Sequence, residues 1–200
     1  DSLLIKAGSG ALTHGHPDHS EGARTFAEHV GCGVRALDPT CVYGGEGLHD
    51  GDVVEMDGLQ VRIVGTPGHT SDSLSFVLPA ERAVLTGDTV LGRGTTVVAH
   101  PDGALGAYLG SLRRLRDLAE QRDIGVIWPG HGPVLDDALP VLDYYLQHRA
   151  ERLEQVRDAV AAGAVEAMDV VRTVYADVDE QLWPAAELSV RAQLDYLHSP

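Results

Sequence analysis

Two hundred residues suit one domain, or a domain with a small appendage, and a chain that is 44% hydrophobic and 22% charged can bury a sizeable core. A formal net charge of −15 opposes long-range attraction to nucleic-acid phosphates, and no apolar run approaches a membrane span, so no membrane partner is expected. Two cysteines, Cys32 and Cys41, are too few for a disulfide framework and are not in metal-site spacing; with no secretory signal visible, a reducing cytoplasm is the expected compartment.

In chain order, Ser2 to Ile5 is a short apolar run, Gly8 to Gly10 a breaker, and Ala11 to Thr13 leads into His14-Gly15-His16-Pro17-Asp18-His19. Imidazole nitrogen and carboxylate oxygen are the ligands that Zn²⁺ and related divalent ions take. At alternate positions of a turning loop, His14 and His16 can converge on one ion while Asp18 and His19 turn towards another. The competing reading is a solvated turn punctuated by Gly15 and Pro17. It weakens because three more ligand-type side chains stand just past strand-like runs: His69 in Gly-His-Thr, Asp88 in Gly-Asp-Thr and His131 in Gly-His-Gly.

Between these motifs, Ser20 with Glu21 and a far Gly31 frame a helix with Ala23, Phe26, Ala27 and Val30 on one face. Val34 to Leu37 reads as a strand, and Val53–Met56 with Leu59–Val64 as a hairpin whose second strand delivers His69. Leu74–Leu78 and Ala83–Thr86 pair across Pro79-Ala80 and deliver Asp88. Leu105, Tyr108, Leu109, Leu112, Leu115, Leu118 and Ala119 keep a 3.6-residue period, with Arg113, Arg114 and Arg116 outside. Ile124 to Trp128 is the last expected strand and delivers His131. Beyond it the pattern is helical: one long helix carrying Leu142, Tyr145, Leu146, Leu153, Val156 and Val160 up to Gly163, then shorter helices near 165–175 and 184–198. Strands ending in ligand-bearing loops, with helices between, imply stacked sheets flanked by helices. His29, His49, His148 and His198 read as surface residues, whereas His100, soon after Asp88, is a candidate substrate contact.

His-x-His-x-Asp-His followed by a lone His, a lone Asp and a lone His resembles the metallo-β-lactamase-fold hydrolase superfamily. Within it, Leu91 to Val98 (LGRGTTVV) and the stretch after His131 are most similar to the β-lactamase-like protein 2 group and its bacterial relatives; the resemblance covers residues 11–200. It implies an α+β fold: an αββα sandwich over residues 1–137, with incomplete amino-terminal strands, and a helical, winged-helix-like appendage over 138–200 beside the active site. Members usually place several strands before the first motif, so residues 3–8 are expected to form an earlier strand joined to Ala11 across a deleted or absent segment.

Carried over motif by motif, the resemblance gives His14, His16 and His69 to one ion, Asp18, His19 and His131 to another, and Asp88 to both. It thus implies two divalent metal ions, zinc before manganese or iron. A water between such ions has its pKa lowered to about 7, so hydroxide would be the nucleophile, with Asp88 and Asp18 as the catalytic carboxylates and Asp18 also a proton shuttle. The implied substrate is a phosphodiester, either a small molecule or single-stranded nucleic acid. Thioester or ester hydrolysis in the manner of glyoxalase II is the alternative, although only scattered Arg149, Arg152, Arg157, Arg172 and Arg191 stand for that family's basic cluster. A metal-poor, non-catalytic remnant is the third reading. β-Lactam cleavage is disfavoured because true metallo-β-lactamases lack the bridging aspartate. A homo-dimer remains open.

Overall fold

The computed structural model describes residues 3–6, 9–56 and 58–199. Its strands are β1 (Leu3–Lys6), β2 (Ser9–Leu12), β3 (Gly33–Arg35), β4 (Val53–Met56), β5 (Leu59–Gly65), β6 (Leu74–Leu78), β7 (Ala83–Gly87), β8 (Val126–Pro129) and β9 (Leu135–Asp136). Its helices are α1 (Pro17–Ser20), α2 (Ala23–Val30), α3 (Leu105–Arg122), α4 (Ala138–Ala161), α5 (Ala167–Val174) and α6 (Trp183–His198). One sheet runs β1-β2-β3 and the other β4-β5-β6-β7-β8-β9. Two pairs are parallel, β2 with β3 and β7 with β8, and each is joined by a helical crossover, through α1 and α2 in the first case and α3 in the second.

Period-two alternation along the second sheet explains the layers. Ile63, Phe76 and Leu78 face the first sheet in a core that includes Ala11 and Leu48. Their neighbours Val64, Val77, Val84 and Ile127 face the other way, onto Leu105, Leu109, Leu112 and Leu115 of α3. β6 therefore buries every residue, and its continuous apolar run is what two covered faces require. On the outer side of the first sheet, Ala23 and Ala27 of α2 pack on Leu12 and Val34. The order α2, first sheet, second sheet, α3 is the expected αββα sandwich.

Past the last strand, α4 serves two cores. Leu142, Tyr145 and Leu153 join the α3 core, while Val156 and Ala159 pack with Val170 and Val171 of α5 and Val190 of α6. Arg116 of α3 reaches Asp143 of α4 at 2.7 Å, and Arg114 reaches Asp50 at 2.8 Å, so two of the three outward arginines staple neighbouring elements together. Among the described residues, no helix is long and apolar enough to cross a membrane.

Several expectations change. The first helix divides into α1 and α2, and Phe26 and Val30 are 43% and 47% exposed, because only the alanines reach the narrow three-stranded sheet. The strand expected at 34–37 is Gly33–Arg35. The strand expected at 124–128 begins two residues later, where Asp123 at φ 54 and Ile124 close the end of α3, and it is followed by the two-residue β9, too short to carry a period. Of the expected strand over 3–8, Leu3–Lys6 forms β1, antiparallel to β2; Ala7 and Gly8 lie outside the described residues.

The turn before His69 brings sheet and helix into backbone contact. Gly68 has φ 133, and a Cβ there would overlap the backbone of Tyr108, while its carbonyl accepts from Ala104 N at the start of α3. Gly110, on the same helix, has open space around it. Gly68→Ala is therefore expected to destabilise the protein by roughly 2–4 kcal/mol in urea unfolding, from left-handed strain plus overpacking. Gly110→Ala is expected to stabilise it by up to about 1 kcal/mol.

Candidate metal centre

The ends of four strands converge on one edge of the sandwich. β2 runs into the loop bearing His14 and His16, and Pro17 starts α1, whose first turn holds Asp18 and His19. β5, β7 and β8 deliver His69, Asp88 and His131. The two sheets are tied at this edge by Leu74 N donating to Thr13 O at 2.7 Å, immediately before His14. Gly130 permits the last approach, since a Cβ there would overlap Asp88 Oδ1.

All seven side chains expected as ligands come together. In one group, His16 Nδ1 lies 3.1 Å from both His14 Nε2 and His69 Nε2. In the other, His131 Nε2 lies 3.1 Å from His19 Nε2 and 3.1 Å from Asp18 Oδ2, with His19 Nε2 3.5 Å from that same oxygen. Asp88 faces both: Oδ2 is 3.8 Å from His69 Nε2 and 3.5 Å from His131 Nε2, and Oδ1 is 3.4 Å from His19 Nε2. A tetrahedral ion with ligand bonds of about 2.0–2.1 Å sets its ligand atoms about 3.3–3.4 Å apart. The observed separations bracket that edge.

Hydrogen bonding alone does not account for the cluster. His69 Nδ1 lies 2.8 Å from Val97 O, so it carries the proton and leaves a lone pair on Nε2. A single proton on His16 Nδ1 would serve one of its two nitrogen neighbours and leave the other facing a lone pair. Asp88 Oδ1 is buried with no hydrogen-bond partner among the described residues. Neutral imidazoles with inward lone pairs, arranged round carboxylate oxygens, are a donor set suited to divalent cations.

The electrostatics match. Burial, reinforced by nearby His19 and His69, pulls the His14 pKa down to about 3, and burial also lowers that of His69 despite the Val97 bond. For Asp88, burial opposes ionisation, but the imidazoles of His19 and His131 close to its carboxylate outweigh it, and its pKa falls below the ordinary carboxylate value. His14 and His19 are buried, whereas Asp18 and His131 have side chains 58% and 53% exposed, so the centre opens towards solvent on their side. Beside His16 lies a cleft of about 520 Å³ that reaches Thr70, Ser71, Asp38, Asp72 and Asp102. Sequence reasoning missed this acidic wall, because its carboxylates come from separate loops.

His100 does not reach the centre. Its Nε2 lies 3.1 Å from Asp195 Oδ2 on α6, and its backbone N donates to Leu188 O. His148 is half-buried rather than superficial, stacked on Tyr144 with its Nε2 3.4 Å from Thr95 Oγ1. His29, His49 and His198 are exposed as expected. Arg149, read from the sequence as one of several scattered cations, is buried. Its place on the face of Leu142, Tyr145 and Leu153 was a signal for this.

An αββα sandwich with seven ligand-type side chains gathered at its strand ends defines the class to which the chain belongs. The chain belongs to the metallo-beta-lactamase superfamily, whose family model matches residues 11–131; the beta-lactamase associated winged helix domain matches residues 167–199. It is 34% identical over 174 residues to the beta-lactamase-like protein 2 homolog of Caenorhabditis elegans, covering 83% of this chain and 56% of that protein. It is 33% identical over 189 residues to the atrochrysone carboxyl ACP thioesterase of Aspergillus chevalieri, covering 89% and 58%. The chain thus spans somewhat over half the length of these curated relatives. Among solved structures, a metallo-beta-lactamase family protein from Thermus thermophilus superposes with a TM-score of 0.77 at 22% identity, over 95% of this chain and 74% of that one.

The chain is expected to bind close to two equivalents of divalent metal by elemental analysis, and Asp88→Ala to retain one or none, since removing a shared carboxylate leaves two cations repelling each other. Metal-free protein should also show a defined pH response. Because the folded His14 pKa lies below its ordinary 6.5, the unfolded chain binds the proton first on acidification. Stability is therefore fully present above about pH 6.5 and is lost as pH falls towards 3, which thermal melts in chelator would follow.

Proposed function

We propose that this protein is a binuclear metal-dependent hydrolase; the convergence of seven ligand-type side chains from four strand ends carries the reading. His14, His16 and His69 would hold one divalent ion, Asp18, His19 and His131 the other, and Asp88 would be shared. Zinc fits a set so rich in imidazole. When bound, the ions would polarise the substrate's electrophilic oxygen and lower the pKa of a water to about 7.

The chain's own residues supply the rest. Asp88 sets one negative charge between the two groups and limits their repulsion. Asp18, largely exposed and 3.1 Å from His131 Nε2, would carry a proton at Oδ2 from the attacking water to the leaving group. The buried rings of His14 and His19 close the inner side, so substrate arrives past His16 and His131.

The cleft bears on substrate class. Three carboxylates line it beside His16, and among the described residues no lysine or arginine does. A strand of nucleic acid needs cations for its flanking phosphates. That wall favours an acyl ester or thioester over single-stranded RNA, and the relative named as a thioesterase supports the same choice. The phosphodiester reading retains support for a small, singly charged ester, because positive charge at two ions acts at short range while the net −15 is screened beyond about 8 Å at physiological salt.

A panel of an acyl thioester, a chromogenic bis-phosphodiester and a short RNA, with metal-loaded protein, tests this. Saturable thioester turnover is expected, with slower phosphodiester cleavage, and RNA cleavage that rises with salt as the acidic wall is screened. An inert thioester, together with RNA cleavage that falls with salt, would reverse the assignment. Protein that takes up no metal would instead leave the remnant reading standing.

A further inference from the structure

Behind the metal centre lies a set of buried polar contacts that the proposed chemistry does not use. Thr96 is 2% exposed, and its Oγ1 donates to Asp88 O at 2.8 Å and stands 3.2 Å from Thr89 O. One residue on, Val97 O accepts from His69 Nδ1 at 2.8 Å. A single segment, Leu91 to Val98, therefore holds the backbone of Asp88 and, at Nδ1, the ring of His69 on the side away from the clustered ligand-type atoms.

That segment is itself held by α4. Tyr145 Oη accepts from Leu91 N at 2.9 Å and lies 3.1 Å from Leu91 O and 3.2 Å from Gly94 O. One turn further on, buried Arg149 donates to Thr96 O, and its guanidinium lies 5.0 Å from the centre of the Tyr108 ring, whose hydroxyl donates to Thr89 O at 2.7 Å. Among the described residues no carboxylate pairs with Arg149. A guanidinium is expensive to take out of water, and an apolar residue would fill the same space more cheaply. Its rigid donors are directed instead at the carbonyl of the residue whose hydroxyl holds Asp88.

We propose that Arg149 and Thr96 are positioning residues of the metal centre. Arg149 anchors the segment Leu91–Val98 to α4, and the segment in turn fixes the Asp88 backbone and the Nδ1–H tautomer of His69. The Asp88 carboxylate and the His69 Nε2 lone pair are then aimed before any cation arrives. Partners of this kind orient metal ligands and set which nitrogen is free. The inference rests on the metallohydrolase reading above, and its test reads metal binding and ring protonation rather than turnover.

The variants are Thr96→Val, which removes the hydroxyl at nearly constant volume, Arg149→Met and Arg149→Lys. Arg152→Met serves as a control, because Arg152 binds Gln155, Val174 O and the Tyr175 ring without touching the segment. Zinc affinity is measured by equilibrium dialysis, and the His69 tautomer in metal-free protein by ¹⁵N NMR of the ring. Thr96→Val and Arg149→Met are expected to weaken at least one zinc by about 10–100-fold and to mix the His69 tautomers. Arg149→Lys should recover part of the affinity, and Arg152→Met should bind as wild type does. A folded Thr96→Val protein that binds two zinc ions at wild-type affinity, with His69 still protonated at Nδ1, would overturn the inference while leaving the metallohydrolase reading intact; this variant decides the matter if Arg149→Met fails to fold. Wild-type protein that binds no zinc would remove both.

Discussion

Four strand ends must bring five imidazoles and two carboxylates together with separations of 3.1 to 3.8 Å, and that requirement shapes much of the molecule. Lone pairs and buried charge at such spacing are unfavourable unless a cation or a well-placed proton lies among them. The scaffold therefore has to be stiff before it can be selective. Stiffness comes from two sheets locked face to face by Ile63, Phe76 and Leu74, and from the Leu74–Thr13 bond that joins them next to His14. Gly68 and Gly130 supply the close approaches that bulkier residues would block.

The layering also separates two kinds of surface. Towards the interior, the centre is dry: His14 and His19 are buried, and burial keeps His14 neutral at physiological pH. Towards solvent, Asp18 and His131 are exposed beside an acidic cleft. On the proposed reading, His14 and His19 would be the fixed ligands of the inner side, and Asp18 and His131 the ligands that also face arriving substrate. Bound ions would, on that reading, confine positive charge to the few ångströms around the site of a chain whose net charge is −15.

The helices after the last strand are more than an appendage in packing terms. α4 belongs to the α3 core through Leu142 and Tyr145 and to the α5–α6 cluster through Val156 and Ala159, so one helix links the winged-helix match to the metallo-beta-lactamase sandwich. His100 adds a second link through Asp195 on α6. Its contacts join the loop after Asp88 to α6, so a histidine close in sequence to a candidate ligand stands apart from the site.

The seven side chains that meet at the strand ends were legible in the sequence as candidate ligands, because metal chemistry admits few side-chain types and each motif followed a run of strand character. The short apolar runs of β6 and β7 and the 3.6-residue period of α3 were legible for a similar reason, since both are local features that survive in one dimension. Periodicity names an apolar face but does not say what covers it. Phe26 and Val30 share a face with Ala23 and Ala27 and yet remain exposed, because the sheet beneath α2 is only three strands wide. Arg149 counted in the sequence as one of several scattered cations, and only packing against the Tyr108 ring of α3 and Thr96 of the segment 91–98 buries it. The cleft wall of Asp38, Asp72 and Asp102 exists only where three distant loops meet. The sequence by itself determined which atoms could hold a metal; which of them face one another, which charges are buried and what surrounds the opening were decided by non-local packing, because those properties belong to pairs of surfaces.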